Sequence, residues 1–147
     1  MAFGPNPPPI QAHICVRDGV AALAFYEKAF GAKITFKAMA EDGDRVLHAN
    51  IAVYGGEVML HDEFPEFGGD VMAPTTLNGT TFAISINLPK PADVDAAIAM
   101  ASESGADVLL PAGDVFWGAR YGRVKDPFGH VWAFNAPLAT TSEIKVS

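Results

Sequence analysis

Residues 10–36 read IQAHICVRDGVAALAFYEKAFGAKITF, and the run of signals in them sets the architecture. Ile10 to Val16 predicts a strand with Gln11, His13 and Cys15 on one face and Ala12, Ile14 and Val16 on the other. Asp18 suits a helix N-cap. Val20, Leu23, Ala24 and Phe30 then recur at helical spacing, with Glu27 and Lys28 turned outward. Gly31 stops the helix, and Lys33 opens a second strand that runs to Ala40. Working outward, Arg45 to Tyr54 predicts the next strand after the acidic turn at residues 41–44. Gly55-Gly56 makes a turn, and Glu57 to His61 predicts a fourth strand.

Asp62 to Asn78 reads as a loop carrying Pro65, Gly68, Gly69 and Pro74. The same order then begins again. Thr80 to Leu88 alternates as a strand, Asp93 opens a helix that Gly105 stops, and three strands follow at Asp107–Pro111, Ala119–Lys125 and His130–Asn135. Residues 126–129, Asp-Pro-Phe-Gly, form the turn before the last strand. The expectation is an α+β protein of two βαβββ modules, about residues 9–62 and 79–137, joined by a loop over 63–78. One helix covers only one face of a four-stranded sheet, so the other faces are expected to curve around a shared cleft.

The 147 residues suit one domain. Half are hydrophobic and 18% are charged, which excludes a disordered chain. A formal charge of −7 argues against nucleic acid and anionic lipid as partners. No window reaches the apolar length of a membrane span. The single Cys15 excludes an internal disulfide, and with no secretion signal at the Pro-rich N-terminus the expected compartment is the cytoplasm. Thr140 to Ser147 reads as a polar tail.

Several residues are candidates for chemistry. His13 is either a cleft-facing ligand or acid/base group, since imidazole titrates near neutrality, or a hydrogen-bonded cavity residue. His48 and His61 lack the short-spaced partner of a strong zinc signature, and His130 reads as a surface or hairpin residue. Cys15 and His13, at i and i+2 on a strand, lie about 7 Å apart at the backbone, too far for a nucleophile pair, so Cys15 reads as a small buried hydrophobe. Asp62, Glu63 and Glu66 cluster with Phe64 and Phe67; they serve acid/base or cation-binding chemistry, with the loop as a lid, or simply a solvated surface. In residues 116–122, FWGARYG, the Arg120 fork between Trp117 and Tyr121 suits an anion held among aromatic walls. The alternative is a packed hairpin in which Arg120 pairs with Asp114 or Asp126.

The helix stretch VRDGVAALAFYEKAFGA (16–32) and DPFGHVW (126–132) resemble the vicinal oxygen chelate superfamily of glyoxalases, bleomycin-resistance proteins and dioxygenases. RVLHAN (45–50), HDEFPE (61–66) and FWGARYG resemble its PhnB-like glyoxalase branch more particularly. The resemblance implies a divalent metal held at four strand positions, which fall here on Gln11, on or near Met59 with His61 two residues on, on Thr81 and on Ala133. Only the amide of Gln11 is a ligand type there, and catalytic sites need about three protein ligands. The expectation is a small-molecule binder without metal or other cofactor. His13 is the candidate catalytic residue, and Gln11, His61, Trp117, Arg120 and Tyr121 are the candidate ligand-binding residues. Its ligand is a small organic molecule, with Arg120 suited to an anion. The alternative is a lyase, isomerase or transferase using a shifted ligand set around His13 and His61 for Zn, Ni, Mn or Fe. Whether the chain is an enzyme stays open, a glyoxalase-like lyase or transferase being the candidates. The resemblance also implies a homodimer.

Overall fold

A computed structural model describes residues 7–138, so the polar tail at 140–147 and part of the Pro-rich start lie outside the described residues. The chain divides into two compact units, with the boundary between Thr80 and Thr81. In the first, β1 (Ala12–Val16), α1 (Gly19–Phe30), β2 (Lys33–Met39), β3 (Val46–Val53) and β4 (Gly56–Asp62) build one sheet in the order β1-β4-β3-β2. β1 and β4 run parallel, and the remaining pairs are antiparallel hairpins. The second unit repeats this with β5 (Ala83–Asn87), α3 (Pro91–Ser104), β6 (Asp107–Val115), β7 (Ala119–Lys125) and β8 (Val131–Pro137), ordered β5-β8-β7-β6, with β5 and β8 parallel.

The expected order of elements is therefore present in both units, and each sheet is mixed. Asp18 caps α1 by accepting from the Ala21 N–H at 3.2 Å. Gly31, at φ 64°, ends it with its N–H on the Glu27 carbonyl. The second helix starts earlier than expected. Pro91 occupies its first turn, where a missing N–H costs nothing, and Asp93 reaches back to the Lys90 N–H. The connector at 63–78 is not a bare loop. It holds a 3-10 turn at Pro65–Phe67 and a one-turn helix, α2 (Pro74–Leu77), preceded by the fully buried Ala73.

Each helix buries one face of its own sheet. In the first unit Ile14, Val16, Ala49, Ile51, Val58 and Leu60 close around Tyr26 and Leu23. Burying an aliphatic side chain of this size contributes about 1.5–3 kcal/mol. In the second unit Trp132, Phe134 and Val124 pack with Val94, Ile98 and Ala101. By strand alternation the residues between these positions lie on the open face.

Candidate functional site

The open face of the first sheet carries a polar cluster. Gln11, just before β1, and His13 on β1 share it with Glu57, Met59 and His61 of β4 and with His48 and Asn50 of β3. The register sets His13 beside Met59, Cys15 beside His61 and Asn50 beside Met59. One Glu57 oxygen, Oε1, accepts from Gln11 Nε2 at 3.0 Å and from Asn50 Nδ2. Asn50 is almost fully buried, so its amide cannot turn to water for a partner. With Nδ2 committed to Glu57, its Oδ1 accepts from His48 Nε2 at 2.6 Å, which assigns the His48 proton to Nε2. His61 Nδ1 donates to the Asp62 carbonyl at 2.6 Å, so the neutral tautomer of that ring would carry its acceptor at Nε2.

His13 stands between the two other imidazoles. Its ring centroid is 4.8 Å from His61 and 5.4 Å from His48, edge-on to both. Partial burial, then positive charge on His61 and on His48, hold its pKa below the usual histidine value. The structure thus gathers Gln11, His13 and His61 on one face, and adds His48, Asn50 and Glu57.

The four positions that the resemblance assigns to a metal do not fit one. Gln11 offers one neutral amide oxygen, its Nε2 donating to Glu57, while Met59 offers a thioether, Thr81 a hydroxyl and Ala133 a methyl. Among the described residues no group of three or more His, Cys, Asp or Glu side chains is arranged to hold a metal ion.

In the second unit Trp117 and Tyr121 lie with rings 5.2 Å apart, and Trp117 Nε1 donates to Asn135 Oδ1 at 3.1 Å. Arg120 does not join them. It is turned toward α3, where Nε and Nη2 bind both oxygens of Asp95 at 2.8 Å and Nη1 binds Asp114 at 3.0 Å. The expectation of a free Arg120 fork for an anion is therefore corrected. A planar guanidinium with two carboxylates already on it has little charge left to offer, and its pKa is raised by Asp95 and then Asp114. Asp126 is not its partner. Asp126 instead accepts from the Phe128 and His130 N–H groups and from Trp132 Nε1, so it builds the turn before β8.

His130 keeps its expected place in the hairpin between β7 and β8, but it is buried rather than on the surface, its ring edge-on to Phe82. The mid-chain acids are likewise used locally. Asp62 is buried and accepts from Gly19 N at 2.9 and 3.0 Å and from Val46 N at 2.7 Å, tying the start of α1 to β3. Gly19 is required there, since a Cβ would stand 2.5 Å from Asp62 Oδ2. Glu63 accepts from Ala73 N and pairs with Arg17. Glu66 takes both terminal nitrogens of Arg45, which also binds Asp42 and lies over the Phe64 ring at 4.4 Å. The segment is thus fastened to its own unit and borders a groove of about 420 Å³ with Met39, Leu47 and Phe67. Cys15 is buried, its thiol pushed up to about 11 by burial and by Glu63 and Asp62.

Sequence reasoning missed Glu57 and Asn50. The signal for Glu57 was present, because it lies two residues before Met59 on one strand and so shares its face.

Comparison with known proteins agrees with this architecture. The chain is 39% identical over 132 residues to the uncharacterised protein Mb0911c of Mycobacterium bovis, covering 89% of this chain and 84% of the relative. Among solved structures, a glyoxalase-related enzyme from Fulvimarina pelagi matches with a TM-score of 0.68 at 19% identity, over 95% of this chain and 99% of that one. The PhnB protein from Bacillus cereus matches with a TM-score of 0.66 at 15% identity, over 88% of this chain and 99% of that one. At such identities these structures speak for the fold alone. The model of the Glyoxalase/Bleomycin resistance protein/Dioxygenase superfamily matches residues 10–134, and the chain belongs to that superfamily.

Proposed function

We propose that this chain is a small-molecule-binding member of its superfamily that works without the usual metal. The observation that carries the reading is the fate of Gln11. At the position where related enzymes hold a ligand to metal, its amide donates to Glu57, and the network continues through Asn50 to His48. Three imidazoles, an amide and a carboxylate form a wall of donors and acceptors that suits a polar organic molecule. Trp117 and Tyr121 supply flat apolar surface on the second unit. The proposal includes a homodimer, a cytoplasmic location and no role for nucleic acid, the last from the charge of −7. No helix among the described residues is long and apolar enough to cross a membrane.

Protein purified without chelator is assayed for metal and screened for ligands by thermal shift, wild type against Gln11→Ala and His13→Gln. Metal far below stoichiometric, with stabilising ligands whose effect falls in the variants, is the expected result. Stoichiometric Zn, Ni, Mn or Fe that is lost on His13→Ala or His61→Ala would overturn the reading in favour of the shifted ligand set.

A second reading, metal-free proton transfer, is favoured by the imidazole of His13, which burial holds toward its neutral form beside His61. His13 has a lowered pKa, and its ring centroid lies 4.8 Å from that of His61. A screen of α-oxo acids and reactive aldehydes tests it; equal rates for wild type and His13→Gln reject His13 as the base.

A further inference from the structure

We propose that Arg123, not Arg120, anchors an anion on the open face of the second sheet, and that the subsite takes a flat aromatic carboxylate. The inference rests on the small-molecule-binding reading and names a ligand class for it. Arg120 and Arg123 sit three residues apart on β7, so the pleat sends them to opposite faces. Their surroundings differ accordingly. Arg120 is neutralised by Asp95 and Asp114. Arg123 is exposed, shares its face with Tyr121, and makes no ion pair among the described residues. Its cross-strand neighbours are Leu110 and Ala133, neither of which competes for a guanidinium. Further along the strand Lys125 stands opposite Asp107. Arg123 and Lys125 against Asp107 make this part of the face net positive, on a chain whose charge is −7.

The aromatic half of the subsite is equally fixed. Tyr121 and Asn135 are register partners, and the indole N–H bond to Asn135 Oδ1 sets the plane of Trp117. Trp117 is 45% exposed, and the more exposed Phe116 stands edge-on to it at 5.1 Å. Tyr121 and Arg123 lie about 7 Å apart along the strand. A ligand whose ring lies against Trp117 and Tyr121 thus places a carboxylate within reach of a fork shaped for one.

The full chain is titrated calorimetrically with 2-naphthoate and with its neutral counterpart 2-naphthamide. The acid is expected to bind at least tenfold more tightly than the amide, about 1.4 kcal/mol. Arg123→Gln removes that preference and leaves amide affinity unchanged, Arg123→Lys retains part of it, and Arg120→Gln leaves it intact. Trp117→Ala weakens both probes. Circular dichroism confirms that each variant folds. Acid and amide binding equally, or an Arg123→Gln variant that keeps the preference, overturns the anion anchor while the binding reading stands. Binding of neither probe to the wild type overturns the aromatic subsite; the binding reading then stands or falls on the separate ligand screen with Gln11→Ala and His13→Gln.

Discussion

Replacing Asp62 by alanine should destabilise the protein strongly while leaving any ligand chemistry unaddressed. Asp62 is 4% exposed, and its carboxylate takes the Gly19 N–H on both oxygens and the Val46 N–H on one. Alanine leaves both backbone donors in a buried place with no acceptor. Each unsatisfied donor costs about 1–3 kcal/mol, so the expected loss is about 2–6 kcal/mol against a total of about 5–15 kcal/mol for a typical domain. Asp62→Asn keeps one acceptor and should lose less. Gly19→Ala strikes the same knot from the other side, because its Cβ would fall on Asp62 Oδ2. The double variant Gly19→Ala/Asp62→Ala should therefore lose less than the two single losses added together, as residues sharing one contact do. Urea unfolding followed by far-UV circular dichroism measures all four, with the m-value checked for constancy. A loss below about 1 kcal/mol for Asp62→Ala would refute the structural role, since no buried donor could then have been orphaned. It would return Asp62 to the list of acids open for chemistry.

His13 predicts a pH effect. Its folded pKa lies below the 6.5 of an ordinary histidine, so the unfolded chain takes up the proton first as pH falls. The neutral form's contribution to stability is intact above about 6.5 and declines as pH drops from there to the folded pKa. His13→Gln should flatten that part of the curve of stability against pH, measured by urea midpoints; an unchanged slope would contradict the packing of the three rings. The Cys15 thiol, pushed up to about 11 and buried, should resist iodoacetamide at pH 8 in the native protein and react once urea unfolds it. Rapid native labelling would show that β1 opens. Arg45→Ala removes the clasp on Glu66 and Asp42 and the contact with Phe64. Faster amide exchange confined to residues 63–67 is expected, and exchange at the wild-type rate would mean that the 3-10 turn holds without it.

How much of the site could be read in advance depended on whether the information was local. The face of His13 followed from alternation along a single strand, and so did its company with Gln11. The meeting of His13 with His61 and His48 did not, because it needs β4 to pair with β1 in parallel and with β3 in antiparallel at one particular register. A shift of one residue would send each imidazole to the other side of the sheet. The acids at 62–66 were legible as a cluster but not as individuals. Burial and three hydrogen bonds from two backbone donors made Asp62 a brace, while Arg45 and Arg17 took the others.

By itself the sequence determined the elements and their double order, since hydrophobic period, caps and turn residues act over a few positions of chain. It also carried the family resemblance, whose implied metal positions fall on or near Met59 and on Thr81 and Ala133. Only the tertiary structure decided which charges remain to be used. Arg120 and Arg123 look alike in the sequence, yet Asp95 on α3, twenty-five residues from Arg120 in the chain, takes up one and leaves the other. The same holds for Glu57, whose carboxylate is committed by Gln11 and Asn50 from two neighbouring strands. Coulomb attraction and hydrogen bonding act through space at a few ångströms, so the availability of a charged side chain is a property of the fold.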